Sequence, residues 1–182
     1  HFKKVVLLLN VGNIIDMTDI NRIAPDAVLY VWQGGMTGGK GTADVLTGKV
    51  SPSGKLPDTI ASKASDYPSD ANFGREKNRD IYAEDIYVGY RYFETFAKEK
   101  VLYPFGFGLS YTAFEIKTEK AEITEGAVKF SVSVKNIGSY KGKEVIEVYC
   151  EAPQGKLGKA VRVLCGFEKT RELVPQEEQA VE

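Results

Sequence analysis

The run from Asp80 to Tyr111 limits what this chain can fold into more than any other. It reads DIYAEDIYVGYRYFETFAKEKVLYPFGFGLSY. Tyr82, Tyr87, Tyr90, Tyr92, Phe93, Phe96, Tyr103, Phe105, Phe107 and Tyr111 all fall inside it. Each such ring can bury ~150–250 Å². A segment this rich in rings needs either a sizeable core to cover it or a sugar to stack on it, and a core is the commoner answer. Its end, Pro104-Phe-Gly-Phe-Gly-Leu-Ser-Tyr111, alternates rings with glycines. Glycine lets the backbone turn where other residues clash, so a ring-anchored bend is expected. Phe105 and Phe107 are the rings expected to wedge together what lies on either side.

The two sides have different periods. Before the bend, Val5–Leu9 and Ala27–Trp32 are continuous apolar runs, the pattern of parallel strands buried on both faces. Asn10–Asn13 is a turn by composition. Ile14–Ile23 can wind as a helix, broken by Pro25-Asp26. Gln33–Gly39 is a glycine loop, and Thr42–Leu46 a helix ending near Gly48. Strand, loop and helix in this order predict an α/β fold, whose ligands sit at the carboxyl ends of the strands. The tips at Asn10–Asn13 and Trp32–Gly39 are therefore the places to look. Ala61–Arg79 is polar and irregular and is expected on the surface. After Tyr111 the period becomes two. Val128, Phe130, Val132 and Val134 form one row, Ile146, Val148 and Cys150 another, and Val161, Val163, Cys165 and Phe167 a third. Strands at this spacing predict an antiparallel, immunoglobulin-like sandwich. The expected organisation is α/β followed by all-β, with residues 1–112 in the first domain and 113–182 in the second.

Net charge is −1 and the pI near 6, without a basic footprint for nucleic acid. No run approaches the ~18 apolar residues of a membrane helix. The chain opens inside an apolar run and stops at Glu182, where a strand should be starting, so a piece of a longer protein is expected. Cys150 and Cys165 do not make a disulfide framework and are expected as buried thiols. The sole histidine is His1, which argues against an internal serine–histidine triad or a histidine-based zinc site.

Gly34–Gly39 precedes a helix, where amides can cradle an anion. It lacks the Lys-Ser/Thr pair of a P-loop and the spacing of a dinucleotide fingerprint. A tight strand-to-helix turn, or a loop framing a neighbouring pocket, explains the glycines as well. Asp80, Glu84 and Asp85 lie near Arg75, Lys77, Arg79 and Arg91, which reads as ion pairing. Carboxylate pairs also cleave glycosides, with retention when they stand ~5–5.5 Å apart.

Several segments occur in a telling order: Val31-Trp32, Gly38-Gly39, Ala43–Leu46, Pro52-Ser-Gly-Lys-Leu-Pro57, Tyr82–Tyr92 and Tyr103-Pro-Phe-Gly-Phe-Gly-Leu-Ser-Tyr-Thr112. Together they resemble family 3 glycoside hydrolases, which include β-glucosidases and β-xylosidases. Asn136-Ile-Gly138, Gly142–Val145 and Leu164–Glu168 resemble that family's fibronectin type III-like domain. The resemblance implies the end of an α/β sandwich domain followed by a truncated fibronectin type III-like domain. It implies a retaining enzyme without a cofactor or metal, releasing β-linked glucose or xylose from non-reducing ends of oligosaccharides or glycosides. The nucleophilic aspartate would lie on a barrel domain and the acid/base glutamate upstream of Val5, both outside this chain. The partners implied are a β-glucoside or oligosaccharide and the missing barrel, with no nucleic acid and no membrane. Within the chain, Asn13, Trp32, Met36 and Thr37 would line the cleft wall. Met36 and Thr37 stand where the family often carries Gln-Glu, so little side-chain hydrogen bonding is expected there. Ser65-Asp66-Tyr67 imitates the family's nucleophile motif, but in a surface-loop context. A stand-alone carbohydrate-binding or structural module is the competing reading, and an α/β nucleotide-binding domain a weaker one.

Overall fold

The computed structural model describes residues 2–182, and His1 lies outside them. An α/β part is followed by antiparallel strands. β1 (Val6–Leu9) and β2 (Ala27–Tyr30) pair in parallel, Val6 opposite Ala27 and Leu9 opposite Tyr30. The short helix α1 (Thr18–Ile23) makes the crossover, ending on Ala24 in the left-handed conformation just before Pro25. Parallel pairing is as expected from the apolar runs, but burial on both faces is not found. Leu9 is buried, whereas Val6 and Leu8 are exposed in this chain.

α2 (Gly38–Leu46) begins inside the glycine loop, not at Thr42. A 3₁₀ turn at Gly35–Thr37 leads straight into it. Gly34 makes this possible, because a Cβ there would lie 2.6 Å from the Gly38 Cα. The first half of the expected loop survives and the second half is helix.

β3 (Ile60–Ala61) pairs antiparallel with β4 (Val101–Tyr103). Ile60, Ala61 and Thr59 are buried, so the start of the segment expected on the surface enters the core. It packs under α3 (Tyr90–Phe96), the helix that carries the densest rings. Phe93 is 1 % exposed, meets Tyr67 and Tyr92 edge-on at 5.3 Å, and shares a cluster with Ala61 and Ala97. The Tyr67 hydroxyl donates to the Thr59 carbonyl and accepts from the Ala61 amide. Burial raises the Tyr67 phenol above its ordinary range. Phe105 tilts against Tyr90 at 4.9 Å, and Phe107, partly exposed, against Tyr103 at 5.2 Å. The buried anchor among the rings is therefore Phe93. A helix buries one ring on its inner face and leaves its neighbour Phe96 half in solvent.

β5 (Phe114–Thr124), β6 (Ala127–Asn136) and β9 (Glu178–Val181) form an antiparallel sheet, and β7 (Val145–Cys150) pairs with β8 (Val163–Lys169). Val132, Val134, Ile146, Leu173 and Val181 make the core of this part, with Phe114 and Phe130 against it. The row on β6 is as read from its alternation, although its outer end at Val128 stays exposed. The row on β8 is not. Cys165 and Phe167 face solvent while Leu164 and Gly166 are more covered. Both cysteines are exposed instead of buried, and no disulfide forms among the described residues. The ion pairing expected around Asp80 is also different. Arg79 pairs with Glu76, and among the described residues Asp80, Glu84, Asp85 and Arg91 form no ion pair.

Packing divides the chain into two units. One comprises the residues up to Thr42 with Leu56–Phe107 and Cys150–Val163; the other comprises Ala43–Lys55, Gly108–Tyr149 and Leu164–Glu182. In the second unit Asn136 is a fully buried polar hub. Its amide donates to the carbonyls of Tyr140 and Leu173 at 2.8 Å, and its oxygen accepts from Thr112 Oγ1 at 2.7 Å and Gly138 N at 3.1 Å.

Candidate functional site

Parallel pairing in register fixes where the two candidate tips emerge. β1 ends at Leu9 and β2 at Tyr30, opposite each other, so both following loops leave the same carboxyl edge. The Val31 amide donates to the Leu9 carbonyl at 2.9 Å, carrying the pairing one residue further. Gly12 then comes so close to Gln33 that a Cβ there would meet Gln33 Nε2 at 2.6 Å. The two loops thus touch through Gly12 and Gln33, a contact that sequence reasoning did not single out. A glycine and an amide in separate loops carry no pairing signal in the sequence.

Trp32 sits at the centre of this edge. Its φ of 56° lies in the left-handed region, a strained setting that a bulky residue adopts only when its surroundings hold it there. The ring packs on Tyr30 with centroids 4.5 Å apart. The Tyr30 hydroxyl reaches the Asn13 carbonyl at 3.5 Å, and burial raises the Tyr30 phenol. Asn13 is exposed, and its side-chain oxygen accepts from the Ile14 amide. Met36 is fully exposed and Thr37 exposed, both in the 3₁₀ turn. Asn13 and Trp32 are therefore linked through Tyr30, whereas Met36 and Thr37 stand out from the edge.

Asp16 ties the first loop down. It accepts from the amides of Thr18 and Ala64. The Thr18 side chain first, then the Ala64 amide, holds its carboxyl below the usual range. The sign follows directly: with the folded value depressed, this support is present above about pH 4, the ordinary aspartate range, and is lost as pH falls further. The protection of the Ala64 amide, its exchange relative to the intrinsic rate at each pH, is expected to fall below that pH in the wild type, and an Asp16→Asn variant is expected to remove this change.

Asp66 is not a surface residue. It is 7 % exposed and pairs with Lys100 at 3.5 Å. Among the described residues no three His, Cys, Asp or Glu side chains are grouped to hold a metal ion, and no helix is long and apolar enough to cross a membrane. The edge therefore offers an aromatic pair, backbone groups and an exposed methionine. It is equipped to shape a neighbouring pocket by packing, and it carries no carboxylate pair for cleavage chemistry.

A parallel α/β edge of this kind, followed by an antiparallel sandwich portion, defines a recognisable class. Residues 1–111 match the glycosyl hydrolase family 3 C-terminal domain, and residues 144–182 the fibronectin type III-like domain. The chain belongs to glycosyl hydrolase family 3. It is 65 % identical over 181 residues to a β-glucosidase of Ruminococcus albus, covering all of this chain and 19 % of that protein. It is 48 % identical to β-glucosidase A of Butyrivibrio fibrisolvens, covering 24 % of it. Among solved structures, a β-glucosidase from Paenibacillus barengoltzii superposes with a TM-score of 0.93 at 54 % identity, over all of this chain and 20 % of that one. β-Glucosidase 3B from Thermotoga neapolitana, solved with α-D-glucose, gives 0.88 at 43 %, over 98 % of this chain and 25 % of its own. The chain thus spans about a fifth to a quarter of the length of the relatives it matches.

Proposed function

We propose that the protein carrying this chain is a retaining β-glucosidase, and that residues 1–112 end its α/β domain while 113–182 begin its fibronectin type III-like domain. The observation that carries the reading is 65 % identity along the whole chain to a protein named β-glucosidase. Retention takes two carboxyl groups ~5–5.5 Å apart, one attacking the anomeric carbon and the other first protonating the leaving oxygen and then activating water. In this reading both come from outside the chain. The edge at Asn13, Trp32, Met36 and Thr37 supplies a wall of the cleft against a β-glucoside or oligosaccharide.

The experiment is turnover of an aryl β-glucoside. Full-length protein is expected to hydrolyse it with retention of configuration, and the purified chain alone is expected to be inactive. Activity of the chain alone that disappears in Asp66→Asn would overturn the placement of the chemistry. Inversion of configuration in the full-length protein would overturn the mechanism.

The wall acts through shape, since its exposed pair is Met36 and Thr37. In the full-length protein Thr37→Ala is expected to lower kcat/KM less than tenfold, under ~1.4 kcal/mol of transition-state stabilisation. Gly34→Ala is expected to do more harm, because its Cβ would meet the Gly38 backbone and move the whole turn. Kinetics with melting curves decide between them. A hundredfold loss in Thr37→Ala at unchanged stability would show that the hydroxyl binds substrate.

A further inference from the structure

The first unit contains a second concavity that none of the site residues above lines. Its volume is about 310 Å³, and its walls are Pro57, Asp58, Val88, Gly89, Tyr90, Arg91 and Phe105. That is the small end of the range that holds small molecules. The walls are fixed by backbone. Leu56 N donates to Phe107 O and Gly106 N to Leu56 O, both at 2.8 Å, which pins the Pro57 side to the Phe105 side. Gly89, with φ of 59°, turns the chain so that Tyr90 and Arg91 start α3 at the rim.

Two opposite charges line this space without meeting. Asp58 and Arg91 form no ion pair with each other, and among the described residues neither side chain makes a hydrogen bond. Arg91 Nε is buried without a partner, and the guanidinium instead lies 5.9 Å from the centre of the Tyr90 ring. Arginine offers only donors and an ionised aspartate only acceptors. A buried donor left unmade is costly. Beside them the Tyr90 and Phe105 rings tilt together at 4.9 Å. A ligand that fits must accept from Arg91, donate to Asp58 and lay an apolar face on a ring. A carboxylate satisfies Arg91 but is repelled by Asp58, and an ammonium has the converse difficulty. A hydroxyl both donates and accepts. A pyranose presents adjacent hydroxyls for both charges and a face of C–H groups for the rings.

We propose that this pocket is a binding site for a neutral pyranose sugar, separate from the edge at Asn13 and Trp32. The proposal does not depend on the protein's catalytic activity.

Calorimetric titration of the full-length protein with glucose tests it, using Asp58→Ala and Arg91→Met. Each variant is expected to bind one glucose fewer per chain than the wild type, or to bind it at least tenfold more weakly. Melting temperature and aryl β-glucoside turnover are expected to stay near wild type. Counting the sugar lost keeps the result independent of any glucose bound in a catalytic cleft. Should the protein hydrolyse no glucoside, the functional reading fails while one glucose lost in the variants still supports the pocket. Unchanged stoichiometry and affinity in Asp58→Ala, which truncates an exposed side chain and does not put the fold at risk, would overturn the proposal. Acetate or glycine binding that is tighter than glucose and lost in Arg91→Met would also overturn it, showing a pocket for a charged ligand instead.

Discussion

Replacing Asn136 by Ala is expected to cost about 3–5 kcal/mol of stability. The side chain is completely buried and each of its polar groups is bonded. Truncation strands the Tyr140 carbonyl and the Thr112 hydroxyl, and it removes one of two partners from the Leu173 carbonyl and the Gly138 amide, which keep the Gly142 amide and the Ala113 carbonyl. A buried group left unpaired costs about 1–3 kcal/mol, so two groups stranded outright and two weakened place the sum well below four full penalties. For a chain of this size each kcal/mol lowers Tm by about 2–4 °C, which makes the expected fall roughly 6–20 °C. The backbone of Asn136 also exchanges bonds with Glu177 and Gln176, so the damage should reach the start of β9. Ile137→Ala, one residue along and exposed, is the control and is expected to change Tm little. A loss below about 1 kcal/mol for Asn136→Ala would mean that the hub is not holding the strands. Asn136→Asp separates charge from geometry: it keeps an acceptor for Thr112 but turns a donor toward two carbonyls into a second acceptor. It is expected to be at least as damaging as Ala at neutral pH and to recover as the carboxyl protonates in acid.

Phe93→Ala is expected to cost about 3–5 kcal/mol as well, by a different route. Here the loss is the transfer of a large ring and the cavity it leaves. Phe93 is the largest fully buried side chain of the first unit, wedged between Tyr67, Tyr92, Ala61 and Ala97. The flanking alanines cannot close over the gap. Phe96→Ala, on the same helix but over half exposed, should cost clearly less even though Phe96 touches Tyr87 and Tyr92. Chemical denaturation of the two variants side by side decides the point. Equal losses would mean that α3 is held by its whole ring surface and not by one buried ring. Phe93→Leu is expected to recover much of the loss, since most of the apolar volume returns.

These two residues mark different limits of sequence reading. The aromatic density of residues 82–111 announces a core but does not say which ring occupies it. Phe105 and Phe107, framed by glycines, draw attention, yet the deepest ring is Phe93. What decides is the phase of α3 against β3 and β4, and β3 is two residues long, too short to show in any pattern. Asn136 opens a turn-like Asn-Ile-Gly-Ser run in the sequence, and in the fold it is the last residue of β6. Its role as a hub depends on Leu173 and Thr112, distant in sequence and joined only when β5 pairs with β6 and Leu173 bridges to Gly142.

The sequence by itself determined the change of rhythm after Tyr111, the parallel pair at β1 and β2, the edge from which both candidate loops leave, and, through ordered motifs, the family. These follow from local periodicity and composition, which the chain carries wherever it folds. Tertiary structure decided what depends on which surfaces meet. It converted half of the glycine loop to helix because Gly34 lets Gly38 approach, and it drew Asp66 and Ile60–Ala61 inward. It turned Cys165 and Phe167 to solvent, because alternation fixes which residues share a face but not which face is covered. It also left Asp58 and Arg91 facing one cavity without a bond between them, a placement with no trace in their spacing along the chain.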